Sequence, residues 1–279
     1  VYVFDQSGLF VQQISENGPF TNGHLTKLEL PDGNYRAVTW VNATNDDFVL
    51  SREPIVGKTS IDDMLLQLKE AESAFITRHF SPLLHGITDY FSVKQTSITR
   101  AQNKVIPVNL TRSSNKIQVI IRWKDSNGVL CENPSHINET RAYILDKNGV
   151  LDFENNAGQC DGLTYIPKYF SGDELKPFLN ESPTAATVAA EFTVLRLWTD
   201  SETKIEVRKK ISDQEEIKVY ETELMSLLKK TKTYEDQESI DREEYFVGEL
   251  DFDCSSWTTT SIVINGWKIS EMGDDDTDL

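Results

Sequence analysis

VYVFDQSGLFV at 1–11, IRWKDSNGVLC at 121–131 and RAYILDKNGVLDF at 141–153 share one phrase. Each runs from apolar residues into Asp-x-(Ser/Asn)-Gly and back to apolar residues. An aspartate opening a type I turn accepts a hydrogen bond from the backbone two residues on, and a glycine at the fourth position takes a positive φ. A turn of this kind closes a hairpin with a bulge. The flanks alternate as strands do. A calcium loop would need more oxygens at fixed steps and a bidentate acid to close it, and none of the three phrases supplies that set. Asp5 and Gly8, Asp125 and Gly128, and Asp146 and Gly149 are therefore expected at hairpin turns rather than at a metal. The first and third phrases align further, Tyr2 with Tyr143, Asp5 with Asp146 and Gly8 with Gly149, which points to two related β domains in tandem.

The rest of the chain reads in the same terms. Residues 25–30 alternate and end at Pro31-Asp32-Gly33, a turn signal, and 35–41 follow as a strand. Ser60-Ile61-Asp62-Asp63 resembles a capping box, and apolar residues at helical spacing predict a helix near 61–73. Strands are expected at 85–93, 104–111, 116–123, 188–198, 204–208, 245–252 and 261–269, with a short helix at 222–230. The polar stretch Arg112-Ser113-Ser114-Asn115 marks a boundary, giving a domain at 1–113 and another at 114–279 that ends in an acidic, disordered tail. Many short strands between turn signals predict a mainly β protein of two β-sandwiches with one or two short helices.

Composition excludes some classes of function. The net charge is −17, so a sequence-independent grip on nucleic acid, which needs clustered Lys and Arg, is not expected. No apolar run reaches the roughly 18 residues of a membrane helix. The sequence starts at Val1 and shows no signal peptide, so its native beginning is expected upstream. No nucleophile elbow, phosphate-binding loop, dinucleotide fingerprint or H-E-x-x-H occurs, and the four histidines form no metal pattern. No enzyme activity, cofactor or metal is expected. Three cysteines, Cys131, Cys160 and Cys254, match no zinc spacing. Cys131 and Cys160 flank the phrase at 141–153, where a bridge between them and separate thiols are both open readings.

A longer series of segments carries a resemblance. VYVFDQSGLFV at 1–11, LPDGNYRAVTWVNA at 30–43, PLLHG at 82–86 and VNLTRSSNKIQVIIR at 108–122 are followed by FTVLRLW at 192–198, IDREEYFVGELDF at 240–252 and SIVINGWKI at 261–269. This ordered series resembles the FimB/Mfa-like fimbrial anchor family of Bacteroidales, relatives of the fimbrillins. The resemblance implies two transthyretin-like β-sandwich domains and export to the cell surface as a lipoprotein of the outer membrane. Its lipid-bearing Cys and first strand would lie upstream of Val1. The implied partners are fimbrial shaft and accessory subunits, joined by β-strand complementation, in which a neighbour's strand satisfies an open sheet edge. In SIVINGWKI, Ile262 and Ile264 alternate with Val263 and Trp267, and Ile269 closes the stretch. It has the form of such an assembly strand; pairing within its own domain is the other reading. Shaft or tip subunits and glycan-binding surface lipoproteins remain alternative roles. Exposed aromatics would mark a glycan binder, but of Trp40, Trp123, Trp198, Trp257 and Trp267 all except Trp257 fall in expected strands.

Overall fold

The computed structural model describes residues 1–21, 23–44, 46–94, 104–131, 136–158, 160–170 and 187–269. In chain order the strands begin with β1 (Tyr2–Asp5), β2 (Phe10–Gln13), β3 (Gly33–Val41), β4 (Phe48–Leu50), β5 (Leu65–Leu68), β6 (Phe75–Ile76), β7 (Leu84–Ile87), β8 (Phe91–Val93) and β9 (Thr111–Arg112). They continue with β10 (Ser114–Lys124), β11 (Thr140–Asp146), β12 (Val150–Asp152), β13 (Leu163–Tyr165), β14 (Lys168–Phe170), β15 (Thr187–Leu195), β16 (Lys204–Lys210) and β17 (Glu216–Glu223). Two helices, α1 (Leu224–Lys230) and α2 (Gln237–Arg242), precede β18 (Tyr245–Asp253), β19 (Thr259–Ile264) and β20 (Trp267–Ile269).

The three phrases differ in outcome. Asp5 Oδ1 accepts hydrogen bonds from Ser7 N at 2.8 Å and Leu9 N at 3.0 Å. Gly8, at φ 75°, donates its N–H to Asp5 O, and β1 pairs antiparallel with β2. Asp125 repeats this with Asn127 N at 2.8 Å and Val129 N at 2.9 Å, and Gly128 sits at φ 78°. The hairpin expected at Asp146–Gly149 does not form. β11 pairs with β13 and β16, whereas β12 pairs with β5 in another sheet, and Gly149 is not among the residues with positive φ. A turn of the expected geometry lies further on. Asp152 Oδ1 accepts from Glu154 N at 2.9 Å and Asn156 N at 2.7 Å, with Asn155 at φ 66° in the glycine position. Asparagine is one of the few residues that tolerate that conformation.

The chain forms two compact units, and their membership is not contiguous. The first comprises Val1–Lys69, Ser81–Ser113 and Gly149–Gln159; the second comprises Glu70–Phe80, Ser114–Asn148 and Cys160–Leu279. A single cut into 1–113 and 114–279 therefore misassigns two segments, 70–80 and 149–159, because their strands pair with sheets of the other unit.

The first unit has one sheet in the order β2-β1-β3-β7-β9, with β8 also on β3, and a second in the order β12-β5-β4. Phe4, Phe10, Val38, Ile61, Met64 and Phe153 form its core. Burying each such side chain stabilises by about 1.5–3 kcal/mol. The helix expected near 61–73 is absent as a helix. The capping box at Ser60 and Asp63 exists, but it heads only a short turn at Ile61–Asp63, and Leu65–Leu68 is β5. Leu66 and Leu68 alternate inward with the period of a strand, and ladder partners on both sides override the local helical spacing.

The second unit has sheets β14-β15-β10-β18-β19-β20 and β17-β16-β11-β13-β6. β10 lies at the centre and runs parallel to β18 from Lys116 opposite Tyr245 to Lys124 opposite Asp253. Strands in such a position are covered on both faces and read as near-continuous apolar runs. Here Ile117, Val119, Ile120, Ile121 and Trp123 are all buried. Leu224, Leu227 and Leu228 share the inner face of α1. The Asp236 side chain caps α2 by accepting from Ser239 N at 2.8 Å. Among the described residues no helix is long and apolar enough to cross a membrane. The acidic tail expected at the end of the chain lies outside the described residues.

Candidate assembly groove

The larger sheet of the first unit has two apolar faces. One carries Phe4, Val38 and their neighbours into the core. The other carries Val3, Tyr35, Ala37 and Phe91, and Leu28, Leu30 and Ile106 pack against it. These three come from two segments, 25–30 and 104–110, which belong to no strand. Within 25–30, Leu28 and Leu30 are half-buried while Lys27 and Glu29 point out. The expected alternation is there, but a ladder is not. The strand expected at 104–111 is also missing over 104–110, and only Thr111–Arg112 pairs. Among the described residues, no backbone hydrogen bond joins either segment to a sheet. The second segment crosses β7 closely: a Cβ at Gly86 would come within 2.5 Å of Val108 Cγ1 and 2.7 Å of Asn109 O.

The two segments and the sheet face line an open groove of about 2700 Å³. Apolar side chains stand out along it: Phe20 is 45% exposed, Leu25 67%, Val105 64% and Leu110 47%. A polar clasp holds the stretch at its rim. Glu16 accepts from the Thr26 hydroxyl, and His24 Nε2 lies 3.1 Å from Glu16 Oε2. Phe20 packs on the His24 ring at 4.4 Å. The Thr26 hydroxyl first, and then His24, hold the Glu16 carboxyl below its ordinary value. Unpaired backbone beside an apolar trough suits the addition of an extended peptide: main-chain groups bind it, and alternate side chains fill the trough. Among the described residues no cluster of His, Cys, Asp and Glu could hold a metal.

The stretch proposed from sequence as an assembly strand is not one strand. Asn265 at φ 46° and Gly266 at φ 81° form a tight turn, so Ile262 and Ile264 lie in β19 while Trp267 and Ile269 lie in β20. β19 pairs with β18, and β20 with β19, at the sheet edge. Asn-Gly between alternating apolar residues is a strong hairpin signal, and it could have been read from the sequence. Ile264 and Ile269 are buried, and Trp267 is 56% exposed. Trp123 is fully buried, and Trp40, Trp198 and Trp257 are partly buried, so Trp267 alone of the tryptophans stands in solvent.

The disulfide also differs from the bridge considered between Cys131 and Cys160. Cys131 is bonded to Cys254, with a Cα–Cα distance of 6.1 Å, and Cys160 takes no part. The reason is topological. Residues 141–153 do not fold back as a hairpin, so their flanks do not meet. β10 and β18 are parallel neighbours that end together, and Cys131 N donates to Trp123 O while Cys254 N donates to Lys124 O.

Two units of two sheets each define a mainly β protein of the β-sandwich class. The chain belongs to the family described as Fimbrillin-A associated anchor proteins Mfa1 and Mfa2, whose model matches residues 1–273. No curated protein matches the sequence. Solved structures do. The fimbrial anchor protein Mfa2 from Porphyromonas gingivalis is similar with TM-score 0.71 and 19% identity, covering 96% of this chain and 88% of that one. A candidate polysaccharide binding protein from Bacteroides thetaiotaomicron is similar with TM-score 0.77 and 22% identity, covering 97% and 89%. A candidate adhesin from Bacteroides ovatus gives TM-score 0.73 and 21% identity, covering 98% and 88%. Family membership makes this chain a fimbrial structural protein that works at the cell-surface fimbrium in association with other fimbrial subunits.

Proposed function

We propose that this protein is the base subunit of a fimbria, which holds the shaft at the outer membrane through strand complementation. The observation that carries the reading is the groove of the first unit, where 25–30 and 104–110 lie outside any ladder beside an apolar sheet face. A strand from a shaft or accessory subunit, with apolar side chains at alternate positions, is its occupant. Attachment to the membrane comes from a lipid on a Cys upstream of Val1. A single acyl chain binds a membrane only marginally, so the attachment carries more than one. The Cys131–Cys254 bridge supports export, since disulfides persist in oxidising compartments. The family is structural, and no catalytic role, cofactor or nucleic-acid partner is part of this reading.

The test separates groove from anchor. Leu25→Asp with Val105→Asp places charges in the trough at exposed positions, so the fold should persist. Cells carrying this variant should shed fimbriae while the subunit itself stays membrane-bound. Replacing the upstream Cys should release the subunit together with its fimbriae. Fimbriae that stay cell-bound and of normal length in both strains would reject the base-subunit role in favour of a shaft, tip or glycan-binding one.

A further inference from the structure

Asp146 ends β11 where the chain leaves the second unit: residues up to Asn148 belong to that unit, and 149–159 belong to the first. Its side chain is buried, with the residue 7% exposed. Oδ2 accepts from the Thr203 hydroxyl at 2.5 Å, and Oδ1 accepts from Lys147 N at 2.7 Å. Both donors are uncharged. The other buried acids have cations against them: Asp251 contacts Arg122 and Lys124, and Glu206 contacts Arg208. Among the described residues no ion pair reaches Asp146.

The groups facing Asp146 do not supply a cation either. Lys147 extends into solvent and pairs with Glu202 at 3.3 Å. Lys204, at the start of β16, turns to Glu221 at 3.2 Å. From β13 comes the Tyr165 phenol, whose own ionisation burial suppresses, with Asp146 and Cys160 adding to the effect. A buried carboxylate without a cation is costly, and such a group neutralises instead. Burial accordingly pushes the Asp146 carboxyl above its ordinary value, against the Thr203 hydroxyl and the Lys147 amide and charge. Beside it Asn148 is fixed on both ends of its amide, donating to Leu195 O at 3.0 Å and Arg196 O at 3.3 Å and accepting from Tyr165 OH at 2.7 Å.

We propose that Asp146 is a proton-operated latch on this crossover. Protonated, it keeps 146–149 seated, and the next segment, β12 with Phe153, stays in the first unit. Ionised, it unseats them. The sign comes from the raised folded value. The latch contributes fully below the ordinary carboxyl value, near 3.9, and its contribution is lost as pH rises through the folded one. The opening constant should climb about tenfold per pH unit across that interval and then level off.

Hydrogen exchange on the whole chain from about pH 4 to about pH 9, with intrinsic rates divided out, reads this at the amides of 150–152. Wild type should lose protection with that slope. Asp146→Asn should show none, and Thr203→Val, lacking the hydroxyl donor, should carry the loss to higher pH. Carboxyl ¹³C titration of the wild-type chain, which needs no variant to fold, should place Asp146 above the ordinary range. A normal Asp146 titration, pH-independent protection in wild type, an unshifted Thr203→Val or the wild-type slope in Asp146→Asn each overturns the latch.

Discussion

Asp5 and Asp146 hold the same position in the same phrase, and their carboxylates find different partners. Asp5 lies in an exposed turn and gathers the N–H groups of Ser7 and Leu9. Asp146 is buried and takes the Thr203 hydroxyl and only its nearest N–H, that of Lys147. The third residue of the phrase parts in the same way. Ser7 is exposed, whereas Asn148 is buried among backbone carbonyls and a phenol. A turn motif states what a short segment can do when its flanking strands pair with each other. At Asp146 they pair in different sheets, and the side chains that could close a turn bind distant groups instead.

The largest test of this contrast is Phe153→Ala. Phe153 ends the third phrase yet lies in the first unit's core, 5.0 Å from the Tyr2 ring and 6.0 Å from that of Phe4. It is 1% exposed, so truncation should cost about 3–5 kcal/mol in urea unfolding. A cost below about 1 kcal/mol would mean that 149–159 does not build that core.

A smaller effect sharpens the comparison at the third residue. Asn148→Ala removes the acceptor of the Tyr165 hydroxyl and the amide that donates to the Leu195 and Arg196 carbonyls, which should cost about 2–3 kcal/mol. Ser7→Ala, at the matching exposed position, should stay within about 0.5 kcal/mol of the parent. Equal losses in thermal melts would show that the two phrases are equivalent after all.

The fold class and most strands were legible because apolar runs and the turn signals between them are local: β10, β15, β16 and β18 sit where the apolar pattern put them. The capping box at Ser60 was legible too. The strand after it was not, since Leu65–Leu68 becomes a strand only by pairing with β4 and β12. The same limit hid the disulfide. Nothing near Cys131 or Cys254 shows that β10 and β18 are parallel neighbours, because that pairing joins residues far apart in the chain. The groove was half legible. The pattern at 25–30 gave the apolar side chains that line it, but a pattern cannot show that the backbone lacks a ladder partner.

The finest test compares Asp146 with Asp125, the first residue of the second phrase's turn. Asp125 is exposed, and the N–H groups of Val129 first and Asn127 next hold its carboxyl below the ordinary value. Burial holds Asp146 above it. The two linkages therefore have opposite signs. The Asp125 contribution is present above the unfolded value, near 3.9, and is lost as pH falls through the folded one. That of Asp146 is present in acid and is lost as pH rises. Carboxyl ¹³C titration of one sample reads both, with Asp125 expected to titrate first as pH is raised and Asp146 after the ordinary carboxyls. Because Asp125 stands in solvent, Asp125→Asn should lower the melting temperature only slightly at neutral pH, and the difference from the parent should vanish in acid, where the parent carboxyl is protonated. Were the two carboxyls to titrate together or in reverse order, a solvent turn and a buried crossover would no longer be distinct environments for the one phrase.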